Sequence, residues 1–298
     1  MMKMDCAICD KRSGKQRLFP ATFKFSDLSR HTFSARRLPD RIHYQINKCL
    51  RCGLLFSSPI LSYSEIEKFY KESFCDYYEQ ISYLISTYSR LLNPVWNKLP
   101  KNPSVLEVGC GNGFFLENLQ KNGMVRVYGI EPSKKMMEKT SKILKKRIIN
   151  DVFRPRQFSR EKFDLICCFH TLDHMIDPKE FLSESYKILK KKGFLLIVVH
   201  DAAGLSVKLF GERSPIFDIE HIYLFNKETL KKICEQHRFT MFRIGDVKNT
   251  YPVSYWIKMS GLSNSVKKLG MSLVSLLHID KSSITFAGGN IYIIVQKL

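Results

Sequence analysis

Four cysteines stand in two identical pairs in the first part of the sequence. Cys6 and Cys9 form one Cys-x-x-Cys pair, and Cys49 and Cys52 form the other. Two such turns can surround Zn²⁺ with four thiolates, and a tetrahedral shell without an open position supports structure, not catalysis. Gly53 follows the second pair, where the turn often needs a positive φ. The pattern predicts a structural zinc site, with two unrelated pairs of buried thiols as the alternative.

A glycine-rich stretch, LEVGCGNGFF, could hold a nucleotide. Gly109, Gly111 and Gly113 allow a tight turn and a close approach of the backbone to a ligand. Phe114 stands where a dinucleotide fingerprint has its last glycine, so the spacing disfavours NAD. Glu107 puts a carboxylate beside the glycines, where it would repel a pyrophosphate and attract an amino group. The loop therefore favours a ligand with a cationic tail.

Acidic residues follow the next two strand-like segments. Glu131 ends the segment RVYGIE, and an acid at that place accepts hydrogen bonds from the two hydroxyls of a ribose in nucleotide-binding folds. Asp151 comes after the next apolar segment and is a candidate acceptor for an adenine amino group. With the glycine loop, these acids predict a nucleoside site.

Such residues need a scaffold that brings them to one edge of a sheet. From Ser104 onward, apolar segments alternate with helical patterns. The expected strands are SVLEVG, RVYGIE, IINDVF, FDLICCFHTL, FLLIVVH, TMFRIGDV and NIYIIVQKL, and the expected helices are GFFLENLQKNG, SKKMMEKTSKILKKR, DPKEFLSESYKILKKKG and NKETLKKICEQHRF. Ser133 and Asp177 are the expected helix caps. The alternation predicts an α/β, Rossmann-like sheet that is mostly parallel, is covered on both faces and binds ligands beyond the carboxyl ends of its strands.

The chain divides into three expected parts. A zinc-ribbon module covers residues 1–62, linking helices cover 63–103, and a nucleoside-binding domain covers 104–298 with an insertion at about 250–286. Apolar residues at helical spacing from Ile66 onward predict two linking helices, and Pro100 and Pro103 mark the boundary that follows. Cys75, Cys110, Cys167, Cys168 and Cys234 have no such pairing and are interpreted as packing residues.

Composition narrows the class of protein. The 298 residues are 44% hydrophobic and 26% charged, an ordinary globular balance. The N-terminus does not match a signal peptide and no apolar run is long enough to cross a bilayer, so we expect a cytoplasmic protein with reduced thiols. A net charge of +20 would attract nucleic acid, anionic lipid or phosphorylated substrates, or it reflects lysine-rich solvated faces. The sequence has no RNA-binding signature of interleaved aromatic and basic residues, so a nucleic-acid partner is not expected.

The nucleoside-binding part resembles the class I S-adenosylmethionine-dependent methyltransferases from about Ser104 to the C-terminus. VLEVGCGNGFFLENL matches the first motif of that family, YGIEPS the second, and FDLICCFHTLDHMIDPKEFLSESYKILKKKGFLLI the region from the fourth to the fifth strand. The resemblance implies a last strand that is antiparallel to the others and S-adenosylmethionine as the cofactor. It implies cofactor contacts from Glu107, Gly109, Cys110, Gly111, Gly113, Glu131, Pro132, Asp151, Val152, His170 and Leu172.

The N-terminal cysteines resemble those of sugar C-methyltransferases and of zinc-ribbon methyltransferases from surface-polysaccharide clusters. The stretch CLRCGLLFSSPILSYSEIEKFY fits the wider set. The sugar enzymes carry Tyr-His-Glu-His where this chain has FDIEHIYLFN, so Glu220 and His221 are retained while Asp218 and Ile219 replace the Tyr and the first His. This departure puts deoxysugar C-methylation in question.

Methyl transfer needs an aligned acceptor and a base that removes its proton. His221 is the first candidate base, and Glu220 is expected to orient it or to bind a substrate hydroxyl. His174 and His200 are the rivals, and for each histidine a structural role is the alternative. Tyr70 and Ser73 are candidates for a lid over the cofactor, or for packing of the linking helices.

The expected function is methyl transfer to a small molecule, a sugar or nucleotide-sugar of a surface polysaccharide, which would be phosphorylated or lipid-linked. An RNA methyltransferase and a non-catalytic cofactor-binding scaffold are the alternatives. The 250–286 segment combines lysines with a helical apolar stripe at Leu269, Leu273, Leu276 and Leu277. It predicts a lid, a dimer face or a peripheral contact with an anionic membrane.

Overall fold

Strands and helices alternate along most of the chain in the computed structural model, which describes residues 1–10, 14–24, 28, 32–33, 39–73, 78–123 and 126–298. The strands are β1 (Lys15–Phe19), β2 (Ile46–Cys49), β3 (Leu55–Ser57), β4 (Ser104–Val108), β5 (Arg126–Ile130), β6 (Ile148–Ile149), β7 (Phe163–Phe169), β8 (Leu189–His200), β9 (Tyr223–Leu224), β10 (Thr240–Asp246), β11 (Asn249–Pro252), β12 (Ser283–Phe286) and β13 (Asn290–Gln296). The helices are α1 (Tyr63–Glu72), α2 (Ile81–Trp96), α3 (Phe114–Lys121), α4 (Lys134–Glu138), α5 (Lys142–Lys145), α6 (Pro178–Ile188), α7 (Leu205–Phe210), α8 (Lys227–Gln236), α9 (Val253–Met259) and α10 (Asn264–Leu276).

A seven-stranded sheet forms the centre of the described structure, in the order β10-β13-β8-β7-β4-β5-β6. The pairs from β8 to β6 are parallel, whereas β13 is antiparallel to both of its neighbours. Buried apolar side chains cover both faces of this sheet in two large clusters. The prediction of a Rossmann-like, mostly parallel sheet with an antiparallel last strand is therefore confirmed.

Local capping explains where the helices of this sheet begin. The side chain of Ser133 accepts a hydrogen bond from the Met136 N–H, and Asp177 accepts one from Glu180 with Pro178 in the first helical turn. The expected single helix after Ser133 is wrong, because α4 ends at Glu138 and α5 begins after Ser141. The strand expected over IINDVF is shorter and pairs only over Ile148–Ile149.

The N-terminal region forms a second, antiparallel sheet in the order β1-β2-β3-β9. Its last strand, β9, comes from the connection between β8 and α8, far along the chain, and pairs Leu224 with Leu55 and Tyr223 with Phe56. The division at residue 62 thus separates segments of sequence that share one sheet. As a result, the N-terminal region is hydrogen-bonded to a loop of the nucleoside-binding part.

The two linking helices, α1 and α2, pack against helices that belong to the seven-stranded sheet. Ser62 and Glu65 form a capping box at the start of α1, and a buried apolar face of α2 packs against α3. Helix α1 carries Tyr70 and leads to Ser73, whose carbonyl accepts a hydrogen bond from the Ser133 hydroxyl at 2.6 Å. Cys75 lies outside the described residues.

The insertion between β10 and β13 consists of the antiparallel pair β11–β12 with α9 and α10 between them. Helix α10 packs on α9, and none of its side chains is buried. Among the described residues, no helix has the length and hydrophobicity that a membrane span requires.

Candidate active site

The glycine loop sits at the carboxyl end of β4. Gly109, Gly111 and Gly113 all adopt positive φ, at +76°, +56° and +79°. A Cβ atom at Gly109 would lie 2.2 Å from the Thr171 hydroxyl oxygen, and one at Gly113 would lie 2.4 Å from a Leu144 methyl carbon. Both the backbone conformation and the available space therefore require glycine at these two positions.

Two buried acids flank this loop. Glu131 accepts hydrogen bonds from the backbone N–H groups of Gly111 and Ser133, each at 2.8 Å. Burial raises the pKa of Glu131 to about 7, although these two hydrogen bonds oppose the shift. Burial, and then the charge of Glu131, raise the pKa of Glu107 well above its usual range. Among the described residues, Glu107 Oε2 is buried without a hydrogen-bond partner.

These acids fit the cofactor that the resemblance implies. A buried carboxyl oxygen without a partner is costly, and an ammonium group beside Glu107 would satisfy it. Each oxygen of Glu131 has already accepted one N–H and keeps a second lone pair for a ribose hydroxyl. The residues present would therefore hold the amino group and the ribose of S-adenosylmethionine.

A cavity of about 820 Å³ lies in front of the loop and is bordered by α1, the carboxyl ends of β4, β5, β7 and β8, and the insertion. Its wall includes eight of the expected cofactor residues: Glu107, Gly109, Cys110, Gly111, Glu131, Pro132, Val152 and His170. The candidate catalytic residues His174, Glu220 and His221 line it as well, as do Tyr70 and Ser73. The cavity brings the nucleoside-binding residues and the histidines into one space.

Three expected cofactor residues lie outside this wall. Gly113 is the N-cap of α3 and supports the loop from behind. Leu172 is fully buried in the core and does not line the cavity, so the structure does not support its expected cofactor contact. Asp151 accepts from the Val152 N–H and is paired with Arg154 at 3.3 Å and Lys71 at 3.5 Å, so its oxygens already have partners within the protein.

Asp173, which sequence reasoning did not select, is the centre of the histidine cluster. It is completely buried, and its Oδ2 accepts from His200 Nδ1 at 2.8 Å and from the His200 backbone N–H at 3.3 Å. Burial alone would raise the pKa of Asp173, but the hydrogen bond from His200 and the neighbouring His174 lower it well below its usual range. A carboxylate is therefore held inside the site, 3.9 Å from the Nε2 of His174.

The hydrogen bonds of His221 assign its tautomer. Its Nδ1 lies 2.7 Å from the Ile216 carbonyl oxygen, which can only accept, so Nδ1 carries the proton and neutral His221 has a lone pair on Nε2. Its ring centroid is 4.4 Å from that of His200 and 4.9 Å from that of His174. Burial, followed by the charges of His200 and His174, lowers the pKa of His221 well below its usual range. The ring is therefore neutral, with an unprotonated Nε2, and is a weaker base than a free imidazole.

His174 and Tyr70 line the cavity next to His221. The Tyr70 hydroxyl lies 3.1 Å from His174 Nδ1 and donates to the Glu220 carbonyl oxygen at 3.4 Å. Burial, and then Glu220, raise the pKa of Tyr70 well above its usual range, so it stays protonated. Since Tyr70 belongs to α1, this helix contacts both the histidine cluster and the loop that carries Glu220.

The histidines of this cluster, together with Asp173, are also positioned to bind a metal cation. One ligand atom each from His170, Asp173 and His200, and one each from Asp173, His174 and His221, lie within 4.8 Å of one another. Two histidines and a carboxylate are a known ligand set for divalent metals. A chelator experiment therefore belongs to any test of proton transfer here.

Strand β3 holds the loop that carries His221. The Ser57 hydroxyl donates to the His221 carbonyl at 2.8 Å, and the Ser57 N–H donates to the Ile222 carbonyl at 2.8 Å. The Ile222 N–H in turn donates to the Asp173 carbonyl at 2.8 Å. The N-terminal sheet thus fixes the backbone of the candidate base from one side, and the segment after β7 fixes it from the other.

The four paired cysteines lie together at the far end of this N-terminal sheet. One sulfur from each of Cys6, Cys9, Cys49 and Cys52 lies within 4.8 Å of the others, and the Cys6 and Cys52 sulfurs are 3.4 Å apart. Sulfurs at about 2.3 Å from a tetrahedral Zn²⁺ would be about 3.8 Å apart, which is below the 4.8 Å within which these four sulfurs lie. Gly53 has the positive φ, +79°, expected after the second pair.

Comparison with known proteins identifies the domain that surrounds the cavity. A family model described as "Methyltransferase domain" matches residues 79–243, more than half of the chain. The chain belongs to this methyltransferase family. The domain is therefore an S-adenosylmethionine-dependent methyltransferase, and an enzyme is supported over a non-catalytic scaffold.

Curated relatives match this methyltransferase over part of its length. A tRNA U34 carboxymethyltransferase from Sulfurimonas denitrificans is 27% identical over 150 residues, which cover 48% of this chain and 51% of the relative. A ubiquinone biosynthesis O-methyltransferase from Pelagibacter ubique is 36% identical over 101 residues, 33% of this chain and 42% of the relative. The chain spans about half the length of these relatives, and their names differ in the acceptor.

Solved structures show the same fold. An S-adenosylmethionine-dependent methyltransferase from Archaeoglobus fulgidus aligns with a TM-score of 0.50 at 20% identity, over 74% of this chain and 100% of that one. The YcgJ protein from Bacillus subtilis aligns with a TM-score of 0.50 at 17% identity, over 71% and 98% of the two chains. At these identities the likeness concerns the fold alone.

Sequence reasoning missed two residues of the site. Asp173 was visible inside HTLDHMID, three residues after His170 and next to His174, and could have been noticed as an acid between two histidines. Ser57 carried no comparable signal, because its role depends on the pairing of β3 with a strand more than 160 residues away.

Proposed function

We propose that this methyltransferase transfers a methyl group to a hydroxyl-bearing small molecule, with His221 as the proton acceptor. The observation that carries the proposal is the hydrogen bond from His221 Nδ1 to the Ile216 carbonyl, because it leaves the Nε2 lone pair available in the cavity wall. Sugars and nucleotide-sugars are the acceptor class suggested by the N-terminal cysteine pattern, and their hydroxyls suit a site lined by histidine, tyrosine and carboxylate groups.

S-adenosylmethionine, when bound, supplies a methyl group that is already activated by its sulfonium. The residues of this chain then have two tasks, which are to orient the acceptor and to remove its proton. His221 Nε2 would take the proton of the acceptor hydroxyl during methyl transfer, in which the methyl carbon–sulfur bond breaks and S-adenosylhomocysteine is the leaving group. The imidazolium that results lies beside the buried charge of Asp173, which stabilises it. Glu220, at the cavity wall, is proposed to bind a substrate hydroxyl.

Asp173 and His200 form a dyad that supports this step. The carboxylate accepts from His200 Nδ1, which fixes the orientation of the His200 ring. The dyad keeps a second imidazole within 4.4 Å of His221, measured between ring centroids. His174 lies 3.9 Å from the same carboxylate and is hydrogen-bonded to Tyr70. We therefore assign His174 a positioning role.

We also propose that Cys6, Cys9, Cys49 and Cys52 bind one structural zinc ion. The proposal is supported by four thiols, the number and type of ligand in a closed tetrahedral site, whose sulfurs lie within 4.8 Å of one another. Bound there, zinc would stabilise a small sheet whose last strand continues into the His221 loop. Residues 1–62 are accordingly proposed to be a zinc ribbon, residues 63–103 linking helices and residues 104–298 the methyltransferase domain.

The test is a substitution series with a panel of acceptors. His221→Ala is expected to keep the affinity for S-adenosylmethionine and to lose about 10²–10⁴-fold in kcat, as removal of a general base does. His278→Ala, at an exposed position of the insertion, is the matched control. The assay follows transfer of a labelled methyl group to nucleotide-sugars and to tRNA, each with and without a chelator.

Three outcomes would contradict the proposal. Full turnover by His221→Ala would place the base elsewhere. Loss of wild-type turnover on addition of the chelator, restored by a divalent metal while the cysteine site stays loaded, would make the histidine cluster a metal site. Transfer to tRNA but to no small molecule would favour the RNA alternative, which the net charge of +20 and the tRNA-modifying relative support.

A further inference from the structure

The insertion presents an apolar helix face that nothing in the described structure covers. Leu269, Leu273, Leu276 and Leu277 on and just after α10 are 62%, 50%, 76% and 64% exposed, and Val266 one turn earlier is 47% exposed. Their spacing puts them on one side of the helix. Single exposed leucines are ordinary, but a stripe of this length marks an interaction surface.

The mouth of the active-site cavity is apolar as well. The exposed apolar side chains that line the cavity include Leu205, Leu209, Leu262, Ile284 and Phe286. Three of them belong to the insertion and two to α7. Because α10 packs on α9, and α9 itself lines the cavity with Trp256 and Ile257, the leucine stripe and the insertion's part of the apolar mouth belong to the same segment.

The positive charge of the insertion indicates which kind of partner this surface would bind. Residues 250–286 contain four lysines and one acidic residue, Asp280, a net charge of +3. Lys258, Lys268 and Lys281 are exposed, and the whole chain carries +20. An apolar stripe flanked by lysines matches an anionic lipid surface, where leucines enter the acyl boundary and lysines contact the headgroups. A second copy of the same face would instead bring like charges together.

We propose that α10 and the apolar mouth dock this enzyme on an anionic membrane surface, with the active-site cavity opening toward the lipid. This rests on the proposed function only in supplying a reason for docking, which is access to a lipid-linked acceptor. The contact itself is a property of the surface and needs neither acceptor nor turnover.

Sedimentation with vesicles tests the contact directly. The full-length protein is expected to bind vesicles that contain phosphatidylglycerol and to remain in solution with pure phosphatidylcholine, with binding that weakens as salt is added. The double variant Leu269→Ser/Leu276→Ser is expected to lower the vesicle partition coefficient about 100-fold, because two leucine side chains no longer leave water. Lys268→Gln is expected to lower it about fivefold.

Ile143→Ser is the matched control, since Ile143 on α5 is 74% exposed, close to the 76% of Leu276, and lies outside the insertion. It should bind vesicles like the wild type. Unchanged affinity of all variants for S-adenosylmethionine shows that the fold is intact, because no substituted residue lines the cavity.

Two results would overturn the proposal. Absence of binding to anionic vesicles would refute the docking while leaving methyl transfer by His221 standing. A wild-type dimer in light scattering that the leucine double variant converts to a monomer would identify the stripe as a contact between copies of this chain.

Discussion

Substitution of Glu131 by glutamine tests how the nucleoside site works. In the wild type, one carboxylate oxygen accepts from the Gly111 N–H and the other from the Ser133 N–H, both at 2.8 Å. Glutamine offers only one acceptor oxygen, and its amide nitrogen would face a second donor. One buried N–H therefore loses its partner, at a cost of about 1–3 kcal/mol in the free energy of unfolding.

Glu131→Gln is also expected to weaken the binding of S-adenosylmethionine. A ribose hydroxyl that donates to a charged carboxylate contributes about 1.5–3 kcal/mol, so the loss of one such bond raises the Kd for S-adenosylmethionine roughly 10- to 150-fold. Isothermal titration calorimetry measures this directly. Glu138→Gln, on the neighbouring helix α4 and outside the cavity wall, is the control and should bind like the wild type.

The pH dependence provides a second measurement on the same variant. Burial raises the pKa of Glu131 to about 7 from an ordinary 4.5, so the cofactor-free fold favours the protonated acid. The contribution of Glu131 to the free energy of unfolding is fully present below pH 4.5 and is lost as the pH rises through 7, by roughly 3 kcal/mol in total. If the ionised form accepts both ribose hydroxyls, as proposed, wild-type affinity should fall up to about tenfold per pH unit below 7. Glu131→Gln removes both trends, and a variant that keeps the wild-type Kd and pH profile would refute this role.

The remaining predictions concern the N-terminal region. Elemental analysis should return about one zinc per chain. The substitution Cys49→Ser should abolish zinc binding and lower the melting temperature. A folded wild-type protein without metal would refute the zinc-ribbon proposal. Ser57→Ala deletes the buried 2.8 Å hydrogen bond to the His221 carbonyl and is expected to cost about 1–2 kcal/mol of stability and to lower kcat, with an unchanged Kd for S-adenosylmethionine. If Ser57 serves stability alone, kcat per folded molecule will equal that of the wild type.

The local parts of this protein were readable from its sequence. Short-range patterns encode the alternation of strands and helices, the caps at Ser133 and Asp177, and the glycine loop, because each depends on neighbours within a few residues. The loop and Glu131 belong to adjacent parallel strands, so their meeting at one sheet edge also followed from the βα order. The break between α4 and α5 was missed because the lysine-rich pattern continues through it.

Contacts between distant segments were decided only by the tertiary structure. The pairing of Asp173 with His200 joins the segment after β7 to the end of β8, 27 residues apart, and forms a partly buried dyad. The bond from Ser57 to the His221 carbonyl spans 164 residues and connects the cysteine-bearing sheet to the loop that carries His221. Periodicity reports which face of an element is buried but not which other element covers it, and that choice depends on the packing of the whole chain.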